Sequence, residues 1–157
     1  MASHGPSDEL GPDRRSSPSA GAPRVLVVDD DPSVRRFVTR ALRRAGAEVT
    51  EAADGREALR AIADGRAKPT LLVTDIEMPA MGGIELAARA AALRPGIRVV
   101  LMTGNPSSAE TARGHASQVE SVLLKPVSTA ELLDACGVPA QPAAAATDTP
   151  GPTGRGR

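Results

Sequence analysis

Five polar residues, each at the end of a short apolar run, carry the chemistry this sequence offers. They are the acid pair Asp29-Asp30 after VLVV, Asp75 after LLVT, Thr103 after VVLM and Lys125 after SVLL. Three carboxylates drawn together repel one another unless a cation joins them or protons stay on. All-oxygen donor sets suit hard divalent cations, and Mg²⁺ commonly takes one or two carboxylates with waters and phosphate oxygens. A hydroxyl and an ammonium group facing the acids complete the parts that neutralise a phosphoryl group in transfer. Zinc is a poor fit, because the chain has one cysteine, Cys136, and its two histidines, His4 and His115, are far in sequence from these positions. Phosphoryl chemistry at a carboxylate is what the residue types suggest.

These residues form one site only if the runs before them are strands that end at the same edge of a sheet. RVLVV (24–28), AEVTEA (47–52), TLLVTD (70–75), IRVVLMT (97–103) and VESVLLK (119–125) read as five strands. Between them lie helical patterns. Residues 32–45 place Val34, Phe37, Val38, Ala41, Leu42 and Ala45 on one face. Asp31 caps that helix, with Pro32 at its first position and Gly46 at its stop. A second helix follows Asp54 with Ala58, Leu59 and Ile62 inward and ends near Gly65. A third presents Ile84, Ala87, Ala88 and Ala91, and a short fourth runs from Pro106 to about Ala116. A fifth, capped by Ser128, carries Leu132, Leu133 and Ala135. Strands alternating with helices predict βαβ units, a parallel sheet covered on both faces and a doubly wound α/β fold. Ligands of such sheets bind outside the carboxyl ends of the strands. Taken singly, each polar residue has a plainer reading: Asp31 as helix punctuation, Thr103 before Gly104-Asn105-Pro106 as turn chemistry, Lys125 as a solvated charge. Their coincidence at one sheet edge argues otherwise.

The 157-residue chain balances 19 basic against 19 acidic residues, so composition makes no case for a nucleic-acid or anionic membrane partner. Phe37 is its one aromatic residue, which removes any stacking platform for bases. The single cysteine excludes an internal disulfide, and the leader lacks the apolar core of a signal peptide. A soluble cytoplasmic protein is expected. Residues 1–23 and 138–157, rich in Ser, Pro, Gly and Ala, are predicted to be a disordered leader and tail around a domain at 24–137.

In order and at close to family spacing, VLVVDDDPSVRR, LLVTDIEMPAMGGIEL, VVLMTG and LLKPVS resemble the receiver domains of bacterial two-component response regulators. The resemblance runs through most of residues 24–136. It implies a flavodoxin-like sheet of strand order 2-1-3-4-5. It also implies that Asp75 accepts a phosphoryl group from a phosphohistidine on a sensor histidine kinase or a histidine phosphotransfer protein. Asp29, Asp30, Asp75 and the backbone carbonyl of Glu77 would then hold Mg²⁺. Thr103 would be the switch hydroxyl, Lys125 would pair with the phosphate, and the Lys125–Pro126 bond would be cis. Two positions depart from the pattern. Val122 stands where receivers usually carry Phe or Tyr, and Val127 replaces a common Phe, which bears on how the switch is read out. Glu77 and Asn105 occupy positions that influence phosphoryl lifetime in the family.

The tail is too short and polar for an output domain, so a single-domain regulator acting on a downstream protein, without direct DNA binding, is expected. Met1 favours a free-standing chain over the receiver of a hybrid kinase. Two alternatives stay open: a receiver-like interaction module that works without phosphorylation, and a Mg²⁺-dependent phosphohydrolase of the haloacid-dehalogenase type. The second lacks an Asp-x-Asp nucleophile motif here, because the second acid is Glu77.

Overall fold

A computed structural model describes residues 21–115 and 117–140. The predicted leader up to residue 20 and the tail from residue 141 lie outside the described residues. In chain order the elements are β1 (Arg24–Val28), α1 (Pro32–Arg44), β2 (Glu48–Ala52), α2 (Gly55–Ala63), β3 (Leu71–Asp75), α3 (Gly83–Leu93), β4 (Arg98–Thr103), α4 (Pro106–Arg113), β5 (Val119–Leu124) and α5 (Thr129–Cys136). The sheet order is β2-β1-β3-β4-β5, with every pair parallel. The doubly wound five-stranded architecture is therefore as the sequence predicts, and its strand order as the family resemblance implies.

Alternation along the central strands divides the core in two. Val25, Val27, Leu71, Val73, Val100 and Met102 face α1 and α5. Leu26, Val28, Leu72, Val99 and Leu101 face α2, α3 and α4. Both faces of the central strands are covered, which is why these strands read as unbroken apolar runs. The edge strand β2 is instead mostly exposed, burying Val49 on one face and Ala52 on the other and exposing Glu48, Thr50 and Glu51. Asp29 and Asp75 continue the register that faces α1 and α5, whereas Thr103 continues the opposite one.

Local signals fix the helix starts. The Asp31 carboxylate accepts from the Ser33 N–H at 2.8 Å, and Asp54 accepts from the Glu57 N–H at 2.8 Å. Glu57 reaches back to the Ala53 N–H, and Ser128 and Glu131 form a reciprocal capping box. At the end of α5, Gly137 is left-handed at φ 64°, Val138 donates to the Leu133 carbonyl and Gly137 to that of Asp134. This two-bond stop brings Val138 back into the core at 4% exposure, so packing continues one residue beyond the expected domain end.

Three expectations about helices need correction. Phe37, assigned to the inner face of α1, is 40% exposed; Val38, Ala41 and Leu42 fill the space below the helix. In α3 the buried stripe is Gly83, Leu86, Ala87 and Ala90, while Ala88 is exposed and Ile84 and Ala91 are half-buried. The rotation is set by Gly83: a Cβ there would lie 2.1 Å from the Asp75 carbonyl oxygen, so only glycine lets α3 begin this close to the end of β3. The fourth helix stops at Arg113, short of Ala116, and Gly114 follows it.

Candidate functional site

The carboxyl ends of β1, β3 and β5 bring four of the predicted residues together. Asp29 is wholly buried, Asp75 is buried and Asp30 is exposed. A carboxylate oxygen from each lies within 4.8 Å of the other two, an all-oxygen cluster of the size a small hard cation bridges. Lys125, just past β5, sends its ammonium group between the two buried acids, 3.1 Å from Asp75 Oδ2 and 3.3 Å from Asp29 Oδ2. The lysine side chain is 24% exposed, so the bridge is only partly screened by water.

The remaining contacts hold the acids in place. Asp29 Oδ1 accepts from the Asp31 N–H at 2.9 Å, and Asp75 Oδ1 accepts from the Glu77 N–H at 3.2 Å. Arg35, one turn into α1, donates to the Asp29 backbone carbonyl at 2.7 Å. Burial pushes the Asp75 carboxyl above its ordinary range; the Lys125 ammonium pulls it back and the neighbouring Asp29 charge raises it further. Burial alone would lower Lys125, yet its bond to Asp75 and the charges of both aspartates leave its ammonium form favoured.

Thr103 stands apart from this cluster. Its hydroxyl is buried and donates to the Glu77 carboxylate at 2.7 and 2.8 Å, while accepting from the Asn105 N–H at 2.9 Å. Burial would raise Glu77, but hydrogen bonds from Ser108 and Thr103 outweigh it and hold the carboxyl below its ordinary value. Sequence reasoning singled out Glu77 for its backbone carbonyl and left the effect of its side chain open. The structure shows that side chain holding the threonine. Asn105 caps α4, accepting from the Ser107 N–H at 3.0 Å. The Lys125–Pro126 peptide is cis.

Sequence reasoning missed Arg35 and Gly83. Arg35 sits four residues after the cap of α1, a spacing that turns it back toward β1; Gly83 is the second glycine of the MGG run, where only close backbone approach explains its need. Met81 is buried against Gly55, in keeping with a packing role.

An acid pair after the first strand, an acid ending the third and a lysine after the fifth thus meet at the carboxyl edge of a sheet of order 2-1-3-4-5, with a hydroxyl ending the fourth strand at the same edge. The family model for the response regulator receiver domain matches residues 25–136. This chain belongs to that family. The receiver is 37% identical over 112 residues to the transcriptional regulatory protein PrrA of Mycobacterium tuberculosis, a match covering 71% of this chain and 47% of PrrA. It thus spans about half the length of that relative. It is equally identical, over 112 residues, to the response regulator receiver protein CpdR of Brucella abortus, where the match covers 71% of this chain and 91% of CpdR. Among solved structures, it resembles a CheY-like receiver domain protein of Methanospirillum hungatei (TM-score 0.67, 31% identity, 74% of this chain and 91% of that one). It also resembles the receiver domain of the hybrid histidine kinase CckA (TM-score 0.61, 30% identity, 75% and 99%). Phosphorylation on aspartate and Mg²⁺ binding are typical of the family. Among the described residues, no helix is long and apolar enough to cross a membrane.

Proposed function

We propose that Asp75 accepts a phosphoryl group from a phosphohistidine on a sensor histidine kinase or histidine phosphotransfer protein. The observation that carries this reading is the Lys125 ammonium bridging Asp29 and Asp75 beside the exposed acid Asp30. An Asp75 carboxylate oxygen attacks phosphorus, a P–O bond forms, and the P–N bond breaks with its electron pair leaving on the imidazole nitrogen. Asp29, Asp30, Asp75 and the Glu77 backbone carbonyl are the residues that would hold Mg²⁺, which when bound offsets the charge on the phosphoryl oxygens. Lys125 turns from the Asp75 carboxylate to a phosphoryl oxygen, keeping one positive charge opposite the new group. Thr103 leaves Glu77 and donates its hydroxyl to a second phosphoryl oxygen.

The receiver is a signalling protein, and its own phosphotransfer and dephosphorylation are the only reactions we assign to it. It works in the cytoplasm and passes the signal through contacts with another protein. Membership of the receiver family argues against the dehalogenase-type reading. A phosphorylation-independent interaction module remains the second reading, favoured by one feature: Val122 gives β5 no aromatic ring to rotate when Thr103 moves. Beryllofluoride, which mimics a phosphoryl group on a carboxylate, separates the two. With Mg²⁺ it shifts the amide resonances of Asp75, Thr103 and Lys125 in wild type and leaves Asp75→Asn unchanged. A wild-type spectrum that stays still would favour the second reading.

A further inference from the structure

The net charge of zero hides an uneven surface. Five arginines lie on α1, and Arg35 and Arg43 turn toward β2, where both pair with Glu51. Arg36, Arg40 and Arg44 are exposed, form no ion pair among the described residues, and line a groove between α1 and α5. Its volume is about 600 Å³, and its apolar lining includes Phe37, Ala41 and Leu133. Spacing of four places the arginines on one stripe, about 12 Å long at 1.5 Å per residue. Like charges at this spacing repel, so the stripe destabilises α1 unless an anionic partner offsets it. The acids of α5 give no relief, because Glu131 and Asp134 line the opposite side of that helix, next to β5.

We propose that this groove is a docking site for the chain's own leader, through the stretch Asp8-Glu9-Leu10-Gly11-Pro12-Asp13. Three observations point to that occupant. The stretch holds all three acids of residues 1–20, with Arg14 and Arg15 following it, and Leu10 is the one bulky apolar side chain there besides Met1. Acids flanking a leucine complement arginines flanking Phe37, Ala41 and Leu133. The path also fits. The Glu48 N–H donates to the Pro23 carbonyl, which puts the start of the described chain beside the α1–β2 turn, at the end of the groove lined by Arg44 and Ala140. From Gly21 back to Leu10 is eleven residues, a reach of up to about 36 Å, against a helix of about 20 Å. The tail beyond residue 140 is the poorer match, with one acid, Asp148, against Arg155 and Arg157, whereas residues 1–20 set three acids against Arg14 and Arg15. Docked this way, the leader covers Phe37, which also lines the groove leading to Lys125. This inference does not depend on phosphorylation of Asp75.

The test uses the full chain with a nitroxide on Ser7→Cys, the buried Cys136 staying unlabelled. The account expects the amides of Phe37, Ala41 and Leu133 to lose more than half their intensity, while those of Glu85 and Arg89 on α3 keep theirs. The loss should vanish in roughly 1 M salt, where the screening length is about 3 Å, and in Arg36→Gln/Arg40→Gln/Arg44→Gln. Uniform intensities would overturn the proposal. So would a loss seen equally when the label is on one copy and the isotopes on another, since a second copy would then fill the groove. A loss that persists in the triple variant overturns the charge argument.

Discussion

At the scale of single residues, the proposed phosphotransfer makes the Thr103–Glu77 bond the contact that decides how readily the site adopts a phosphorylated form. Hydrogen bonds to charged groups contribute about 1.5–3 kcal/mol, and this one must break before the hydroxyl can reach a phosphoryl oxygen. Glu77→Ala should therefore tighten Mg²⁺-dependent beryllofluoride binding by about tenfold or more, since 1.4 kcal/mol is a factor of ten. Glu77→Gln separates causes: it keeps an acceptor for Thr103 but removes the charge, so it should lie near wild type if the bond matters more than the field. Titration by chemical shift measures both, and no tightening in Glu77→Ala would sink the argument. The strand-end acids, Thr103 and Lys125 were legible because apolar runs advertise where strands stop. The Thr103–Glu77 bond was not, because it depends on the path of residues 76–82, where Ala80 takes φ 67° and Gly83 closes on the Asp75 carbonyl.

Elements carry the positioning. Helical periodicity in the sequence finds that a face exists, but the rotation of that face is set by closest approach, which is why α3 buries Leu86 and Ala90 in place of Ala88 and Ala91. Phe37 shows the same limit on α1: it sits at an inward-looking spacing yet at the margin of the stripe, where the groove leaves it 40% exposed. Gly83→Ala tests the closest approach directly. A methyl group facing the Asp75 carbonyl at this distance must push β3 and α3 apart, and overpacking of this kind costs about 1–3 kcal/mol. The urea midpoint should fall, and Mg²⁺ binding should weaken with it because Asp75 moves. A variant that loses neither would show that the helix start slides freely.

For the whole molecule, the doubly wound fold follows from apolar runs alternating with helical patterns and the order of its strands from the family resemblance, whereas the arginine groove is invisible in a formal charge of zero. Global stability has its own pH signature. Cys136, the last residue of α5, is buried, and burial pushes its thiol from 9.0 up to about 12. The folded chain thus keeps the proton while the unfolded chain releases it. This contribution is complete below pH 9 and is lost progressively as pH rises toward 12. Urea midpoints should fall over that window less steeply in Cys136→Ala than in the wild-type protein, and parallel curves would contradict the assignment. Native Cys136 should also resist alkylation at pH 8 until the chain unfolds.

The central claim is that Asp75 is the phosphoacceptor, and mass spectrometry after incubation with Mg²⁺ and a small-molecule phosphodonor tests it most directly. The account predicts one hydroxylamine-labile phosphoryl group on the wild-type protein, localised to the peptide containing Asp75, and none on Asp75→Asn. An unmodified wild-type protein, or a variant that gains the same label, would contradict it.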